Sequence, residues 1–134
     1  MVQSIGHLLE QDSKKEFVVK DSGNRMEFDS GMQRNSAEGK IDFTLILPEG
    51  IPYEEQMLYR FADHLTKGAK VYSERNWEKA SGVKEMTRFK KSALRHFMQW
   101  YFGFSDEDHA SAVWFNIMGY ETTKYKVENA VDKI

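Results

Sequence analysis

The sequence predicts a mainly α fold: a helical bundle of three principal helices preceded by a small N-terminal β-hairpin or arm. Three observations carry this expectation. Apolar residues recur at i, i+3, i+4 and i+7 in three separate stretches after residue 52. The only two prolines, Pro48 and Pro52, fall together just ahead of the first of these stretches. Aromatic residues make up 13% of the chain and cluster in its C-terminal half, where each buries a large area, so few helices are needed to build a core. With 134 residues the chain fits one domain of ordinary size. We expect a single domain over 1–134, with the hairpin or arm in 1–40, the helical core in 41–126 and a tail in 127–134.

Taken in order, residues 5–10 read as a short helical turn. Glu16-Phe17-Val18-Val19-Lys20 reads as a strand. Asp21-Ser22-Gly23-Asn24 is a turn signal, and Arg25 to Phe28 reads as the return strand. A lone hairpin is marginal in water and must pack on something. Ser30 to Lys40 is polar and Gly-bearing, which suits an ordered loop or arm. The short apolar run Ile41 to Leu47 ends at Pro48, and Pro48 to Pro52 is a break.

The first helix is expected after Pro52 and to about Lys67. Its buried stripe is Leu58, Phe61, Ala62, Leu65 and Ala69, with Gly68 as C-cap or kink. Trp77 to Val83 is expected as a loop broken by Gly82. The second helix is expected from about Lys84 to Tyr101, with an apolar stripe of Phe89, Ala93, Leu94, Phe97 and Tyr101 and a stop at Gly103. Ser105 is the expected N-cap of the third helix, with Asp106-Glu107-Asp108 as an acidic first turn favourable to the helix dipole. That helix is expected to reach about Lys126, with Ala110, Val113, Ile117 and Tyr120 in its core stripe.

Composition excludes several classes of function. There are no cysteines, hence no disulfide scaffold, thiolate metal site or Cys nucleophile. Apolar runs fall far short of a membrane span, and the N-terminal residues lack the pattern of a signal peptide, so cytoplasm is the expected location. The net charge is -2, with both signs interspersed, which argues against duplex nucleic acid but not against a small nucleotide. Phosphate-cradling Gly-rich Walker loops, Gly-x-Ser-x-Gly elbows and His pairs at i, i+4 are all missing.

The residues that remain point to a phosphorylated aromatic ligand. Lys70, Arg75 and Lys79 place three cations near Tyr72 and Trp77 within the run Gly68 to Lys79; phosphate needs charge and a base needs a flat face. The bland alternative is a helix end with solvated lysines and a core Trp. Arg95 and His96 lie on the aromatic-rich second helix, able to hold phosphate and to move a proton, or else to form a surface pair. His109 and Asn116 are seven residues apart and share a helical face around Val113. Asp106, Glu107 and Asp108 offer oxygen ligands to Mg²⁺, or else only complement the helix dipole. Asp63 and His64 stand beside the first helix's stripe.

The ordered series Gly68-Ala69-Lys70-Val71-Tyr72, Arg75-Asn76-Trp77-Glu78-Lys79, Ala93-Leu94-Arg95-His96, then His109 with Asn116, resembles the phage and bacterial family of dATP/dGTP diphosphohydrolase N-terminal domains. That family is distantly similar to the MazG-type all-α nucleoside triphosphate pyrophosphohydrolases. The preceding Phe28, Gly31, Arg34 and Glu38-Gly39-Lys40 also fit, so the resemblance covers about residues 28 to 120. It implies an all-α fold, a deoxynucleoside triphosphate substrate, and Mg²⁺-dependent cleavage to the monophosphate and pyrophosphate.

On that reading Asp106, Glu107 and Asp108, with Glu74, hold the metal. Lys70, Arg75, Lys79 and Arg95 bind phosphates. Tyr72, Asn76 and Trp77 frame base or sugar, and His96, His109 and Asn116 orient substrate or water, the two histidines as the catalytic pair. If the chain is phage-encoded, the compartment is the bacterial host cytoplasm. Two positions depart from the family pattern: Ala112 stands where a second histidine is frequent, and Glu54-Glu55 is not followed by the third acid of the MazG metal motif. The alternative reading is a non-catalytic binder that sequesters a nucleotide, including a signalling nucleotide of host defence. A third is an accessory protein that contacts a host protein through Trp100, Tyr101, Phe102 and Phe104. The aromatic surplus also predicts a homo-oligomer.

Overall fold

A computed structural model describes residues 16–130, and the helical turn expected at residues 5–10 lies outside them, as do residues 131–134 of the tail. The chain divides into two compact units, residues 1–42 and residues 43–134. The protein is mainly α, with three helices and one small antiparallel sheet among the described residues.

In the first unit the hairpin sits further along the chain than expected. β1 (Arg25–Glu27) pairs with β2 (Gln33–Asn35) in the register Arg25 to Asn35, Met26 to Arg34 and Glu27 to Gln33. The loop between them closes through Gly31, whose φ of 90° favours glycine, and through a bond from Phe28 N–H to Met32 O. Glu16 to Lys20 forms no strand. Asp21 to Asn24 is not a hairpin turn, because its polar side chains bond locally: Asp21 accepts from Gly23 N–H and pairs with Arg25. Asn35 then donates to Lys20 O at 2.9 Å and holds the preceding segment alongside β2.

The second unit begins with a 3-10 turn, Phe43–Ile46, and after the two prolines another, Tyr53–Glu55. Gln56 is extended, and its side chain donates to Ile51 O, so the true helix starts one turn late. Helix α1 spans Met57–Val71. It runs through Gly68 instead of stopping there; Tyr72 N–H bonds back to Gly68 O, so Gly68 is an interior residue. Helix α2 spans Val83–Tyr101. The Glu85 carboxylate accepts from Ser81 and Gly82 N–H and caps its start. At its end Gly103 takes φ 82°, and Phe104 N–H bonds to Gln99 O, which satisfies the last carbonyls. Helix α3 spans His109–Glu128. Its cap is Asp108, which accepts from the Ser111 backbone and hydroxyl, and not Ser105 three residues earlier.

Helix α3 is the middle element. It packs against α2 along most of its length and against α1, while α1 and α2 scarcely meet. The α2–α3 seam differs from the expected one. On α2 the inward residues are Phe89, Ser92, His96 and Gln99, whereas Leu94 and Tyr101 are 63% and 67% exposed. On α3 the buried residues are His109, Ala112, Asn116, Gly119 and Thr123, and Ile117 faces outward. Periodicity locates a face but cannot say which of two adjacent faces meets a neighbour. Here the small residues of α3 set the choice, because they let α2 approach closely. Their polar groups are satisfied within the helix, Asn116 donating to Ala112 O and Thr123 to Gly119 O. No helix among the described residues is long and apolar enough to cross a membrane.

The seam leaves no room at Gly119, where an added Cβ would lie 2.5 Å from the Phe89 ring. That ring is backed edge-on by Phe115 and cannot simply swing aside. Gly119→Ala is expected to lower stability by about 1–3 kcal/mol through overpacking, despite the helix propensity that alanine adds. Thermal unfolding checks this, and the double change with Phe89→Leu is expected to recover part of the loss.

Candidate functional site

Because α1 and α2 flank α3 and scarcely meet, a cleft opens between the end of α1 and the start of α2, with the α3 side chains Phe115 and Met118 in its lining. Its volume is about 1260 Å³. The segment that leaves α1 passes along it, and Asn76–Lys79 folds into a 3-10 turn. Arg75, just before the turn, has φ 57°, the only non-glycine residue with positive φ among the described residues. A left-handed residue outside glycine carries a strain cost of order 1–3 kcal/mol and persists only where its surroundings hold it.

Phe115 holds much of this region together. Its ring is met by His64 from α1 at 5.8 Å, by Trp77 from the turn at 6.4 Å and by Phe89 from α2 at 6.1 Å. The last two contacts are edge-on, the favoured aromatic geometry.

The structure brings seven of the sequence-predicted site residues to the cleft: Tyr72, Glu74, Arg75, Asn76, Trp77, Lys79 and Glu107. Lys70 is exposed and outside the lining, because helix α1 continues past Gly68 and carries it round to another face. Arg95 is also exposed and outside the lining. Asn116 lies buried in the α2–α3 seam, where its amide donates to its own helix, so it is a packing residue in this structure.

The cations of the cleft are not equivalent. Arg75 pairs with Glu78 at 2.6 Å and Lys67 with Asp63 at 2.8 Å. Lys79 and Arg88 line the cleft with no ion pair among the described residues. Arg88 was not foreseen. It stands one residue before Phe89 on the first turns of α2, a position that becomes meaningful only when α2 is known to border the Tyr72–Lys79 segment. His64 and Lys67 line the cleft too, and with Glu107 they also border a smaller hollow of about 240 Å³.

Glu107 links the cleft to a titratable cluster at the start of α3. His109, 2% exposed, places Nε2 2.8 Å from Asp106 Oδ1 and Nδ1 2.9 Å from His96 Nδ1. Burial first, and then the nearby Arg95 charge, push the His96 pKa below its ordinary value of 6.5, which favours the neutral ring. The hydrogen bond from His109 holds the Asp106 carboxyl below the usual range. The consistent assignment is a directional chain: His96 Nδ1–H donates to His109 Nδ1, and His109 Nε2–H donates to the Asp106 carboxylate. Arg95 reaches His96 Nε2 at 3.5 Å.

Asp106, Glu107 and His109 each offer a ligand atom, and all three atoms lie within 4.8 Å of one another. Asp108 stands apart from this set. It accepts a bidentate pair from Arg60, at 3.0 and 2.7 Å, while it caps α3. Burial pushes the Asp108 carboxyl up, but the Arg60 and Ser111 bonds outweigh it and hold it below the usual range. Arg60, like Arg88, gave no sequence signal. Its role follows from α1 and α3 lying side by side. Glu74 lines the cleft without joining the three-ligand group.

Two consequences follow for stability. Asp108→Ala is expected to cost about 0.5–2 kcal/mol as a lost N-cap, with a further loss from the stranded Arg60, measured by thermal unfolding. His96 binds its proton less tightly folded than unfolded, so between the depressed value and 6.5 the unfolded chain carries more protons and stability rises with pH. The melting temperature is expected to fall as pH is lowered through that window, and His96→Gln to flatten this dependence.

Comparison with known families finds one match: the model described as dATP/dGTP diphosphohydrolase, N-terminal, covers residues 30–130. Searches of curated proteins and of solved structures gave no match. The matched span contains α1, the Asn76–Lys79 turn, α2 and α3, and so the whole of the cleft and the His96–His109–Asp106 chain. It also takes in well over half of the residues, and on that ground the chain belongs to the dATP/dGTP diphosphohydrolase N-terminal domain family.

Proposed function

We propose that the cleft binds a deoxynucleoside triphosphate and that the protein cleaves it to the monophosphate and pyrophosphate. The observation that carries this reading is the convergence of Tyr72, Trp77, Lys79 and Arg88 on one cavity. Aromatic faces there suit a base, and two cations without carboxylate partners among the described residues suit phosphate oxygens. The family's printed name, dATP/dGTP diphosphohydrolase, supports a purine deoxynucleotide. In the reaction a water oxygen bonds to the α-phosphorus, the bond from that phosphorus to the bridging oxygen breaks, and pyrophosphate leaves.

A divalent cation fits the residues at the start of α3. Asp106 and Glu107 offer hard oxygen ligands, and His109 would offer Nε2 in its other tautomer, with Nδ1–H then donating to His96 Nδ1, the arrangement by which a neighbouring bond orients a ligating imidazole. Carboxylates alone suit Mg²⁺, whereas an added imidazole widens the choice to Mn²⁺ or Zn²⁺. When bound, such an ion neutralises phosphate charge and lowers the pKa of water. Glu107 reaches the cleft from this cluster, and Lys79 and Arg88 hold the phosphates.

The test is incubation with the four deoxynucleoside triphosphates and Mg²⁺ or Mn²⁺, reading pyrophosphate. Lys79→Ala and Arg88→Ala are each expected to weaken nucleotide binding about tenfold, the loss of one charge-assisted contact. Asp106→Asn with Glu107→Gln is expected to remove turnover while leaving binding without metal in place. Absence of pyrophosphate from every nucleotide rejects the hydrolase reading. The second reading, a binder that sequesters its nucleotide, is favoured by one observation: Asp108 is occupied by Arg60, which leaves two carboxylates in the three-ligand group among the described residues. Intact nucleotide retained through purification, with no hydrolysis on adding the cation, supports that reading.

We further propose that the protein forms a homo-oligomer. Leu94, Phe97, Met98 and Tyr101 form an exposed stripe at i, i+3, i+4 and i+7 on α2. Among the described residues the only buried hydrophobic ones are Ala80 and Ala112. A second copy covering the stripe would remove this apolar surface from water. Light scattering is expected to give a mass at a multiple of 15.7 kDa, and Leu94→Glu with Phe97→Glu to reduce it to one chain.

A further inference from the structure

We propose that Lys126 is a positioning residue for the cleft, acting through the backbone of the Asn76–Lys79 turn without touching the ligand. The inference rests on the reading of the cleft as a nucleotide site. Lys126 lies in the last turn of α3, 46 to 48 residues beyond its partners, and its ammonium crosses to the turn, donating to Glu78 O and Ala80 O. These two carbonyls bracket Lys79. Lys126 is partly buried and makes no ion pair among the described residues, so the carbonyl dipoles are what its charge meets.

The turn needs such a hold. One left-handed non-glycine residue, Arg75, stands at its entry, and the turn is tied to its flanks by Asn76 N–H to Ser73 O at 3.3 Å, Glu78 N–H to Arg75 O at 3.0 Å and Ala80 N–H to Trp77 O at 3.3 Å. Trp77 fixes one side of it by packing edge-on against Phe115. Lys126 fixes the other. Both anchors stand on α3, eleven residues apart on one rigid helix, so the turn is held at two points by a single element. A lysine near a helix C-terminus usually answers only that helix's dipole. Here the ammonium is spent on a different segment, the one that brings Trp77 and Lys79 to the cleft.

The test uses the full chain. Amide hydrogen exchange is measured without ligand for the wild type, Lys126→Met and Lys126→Arg, and nucleotide affinity is read from Trp fluorescence with dGTP in the absence of metal. In Lys126→Met the Glu78 and Ala80 amides are expected to exchange about tenfold faster, the change that accompanies loss of one charge-assisted bond. The α2–α3 seam amides are expected to stay as in the wild type, and the dGTP Kd to rise about tenfold. Lys126→Arg is expected to restore most of both. Where Lys126→Met does not fold, Lys126→Gln, which keeps donors but no charge, is expected to show the same local change at smaller size. Unchanged exchange at Glu78 and Ala80, or an increase spread evenly over α2 and α3, overturns the proposal. A wild type that binds no nucleotide overturns the cleft reading instead, and the two failures are told apart because exchange needs no ligand.

Discussion

The ring of Phe115 is the contact on which the helical unit depends. From the middle helix it meets His64 of α1, Trp77 of the connecting turn and Phe89 of α2. One helical turn further on, Gly119 leaves the space that the Phe89 ring occupies. A large residue and an absent side chain, four positions apart on one face, therefore set how α2 sits on α3. With α2 held by this face and α1 held beyond it by Arg60 on Asp108 and Phe61 on Trp114, the two outer helices are kept apart. The space between them is the cleft. The cavity is thus a product of how α3 is built, and its lining is assembled from α1, the Asn76–Lys79 turn, α2 and α3.

The same helix organises the charges. Its cap, Asp108, is bound to Arg60 and so serves as structure, while Asp106 and Glu107 just outside the cap stay exposed. Inside the first turn, His109 is buried and faces both ways, toward Asp106 and toward His96 of α2. Three consecutive acids thereby acquire separate tasks from their different surroundings, which is the usual way that one residue type comes to do several jobs in a site. The cluster and the cleft are joined by Glu107, the one member of the acidic run that lines the cavity with the aromatic and basic residues.

Burial in this unit is modest and the packing is local, so the energy that holds the site is spread over specific contacts. The bidentate Arg60–Asp108 pair, the edge-on aromatic contacts and the Lys126 bonds each contribute on the order of a kcal/mol or more. A ligand that bridges the turn and α2 adds to this set, because binding only to the folded state stabilises it by mass action. The exposed α2 stripe is the corresponding opportunity for a second chain.

The sequence by itself determined the mainly α class, the approximate span of α2 and its stop at Gly103; spacing and local turn chemistry carry those facts within a few residues of chain. It also carried the family, because an ordered series of motifs is a property of the chain alone. The start and end of α1, the N-cap of α3, the position of the hairpin and the inward face of α2 were decided elsewhere. Gly68 ends no helix because Tyr72 continues the bonding, and Ser105 caps nothing because Asp108 is fixed by Arg60 48 residues away. Leu94 and Tyr101 have the periodicity of a core stripe, yet α3 receives the neighbouring face with His96 on it. Arg88, Arg60, Phe115 and Lys126 had no local signature at all. Their roles arise from contacts between segments far apart in the chain, which only the tertiary structure brings within bonding distance.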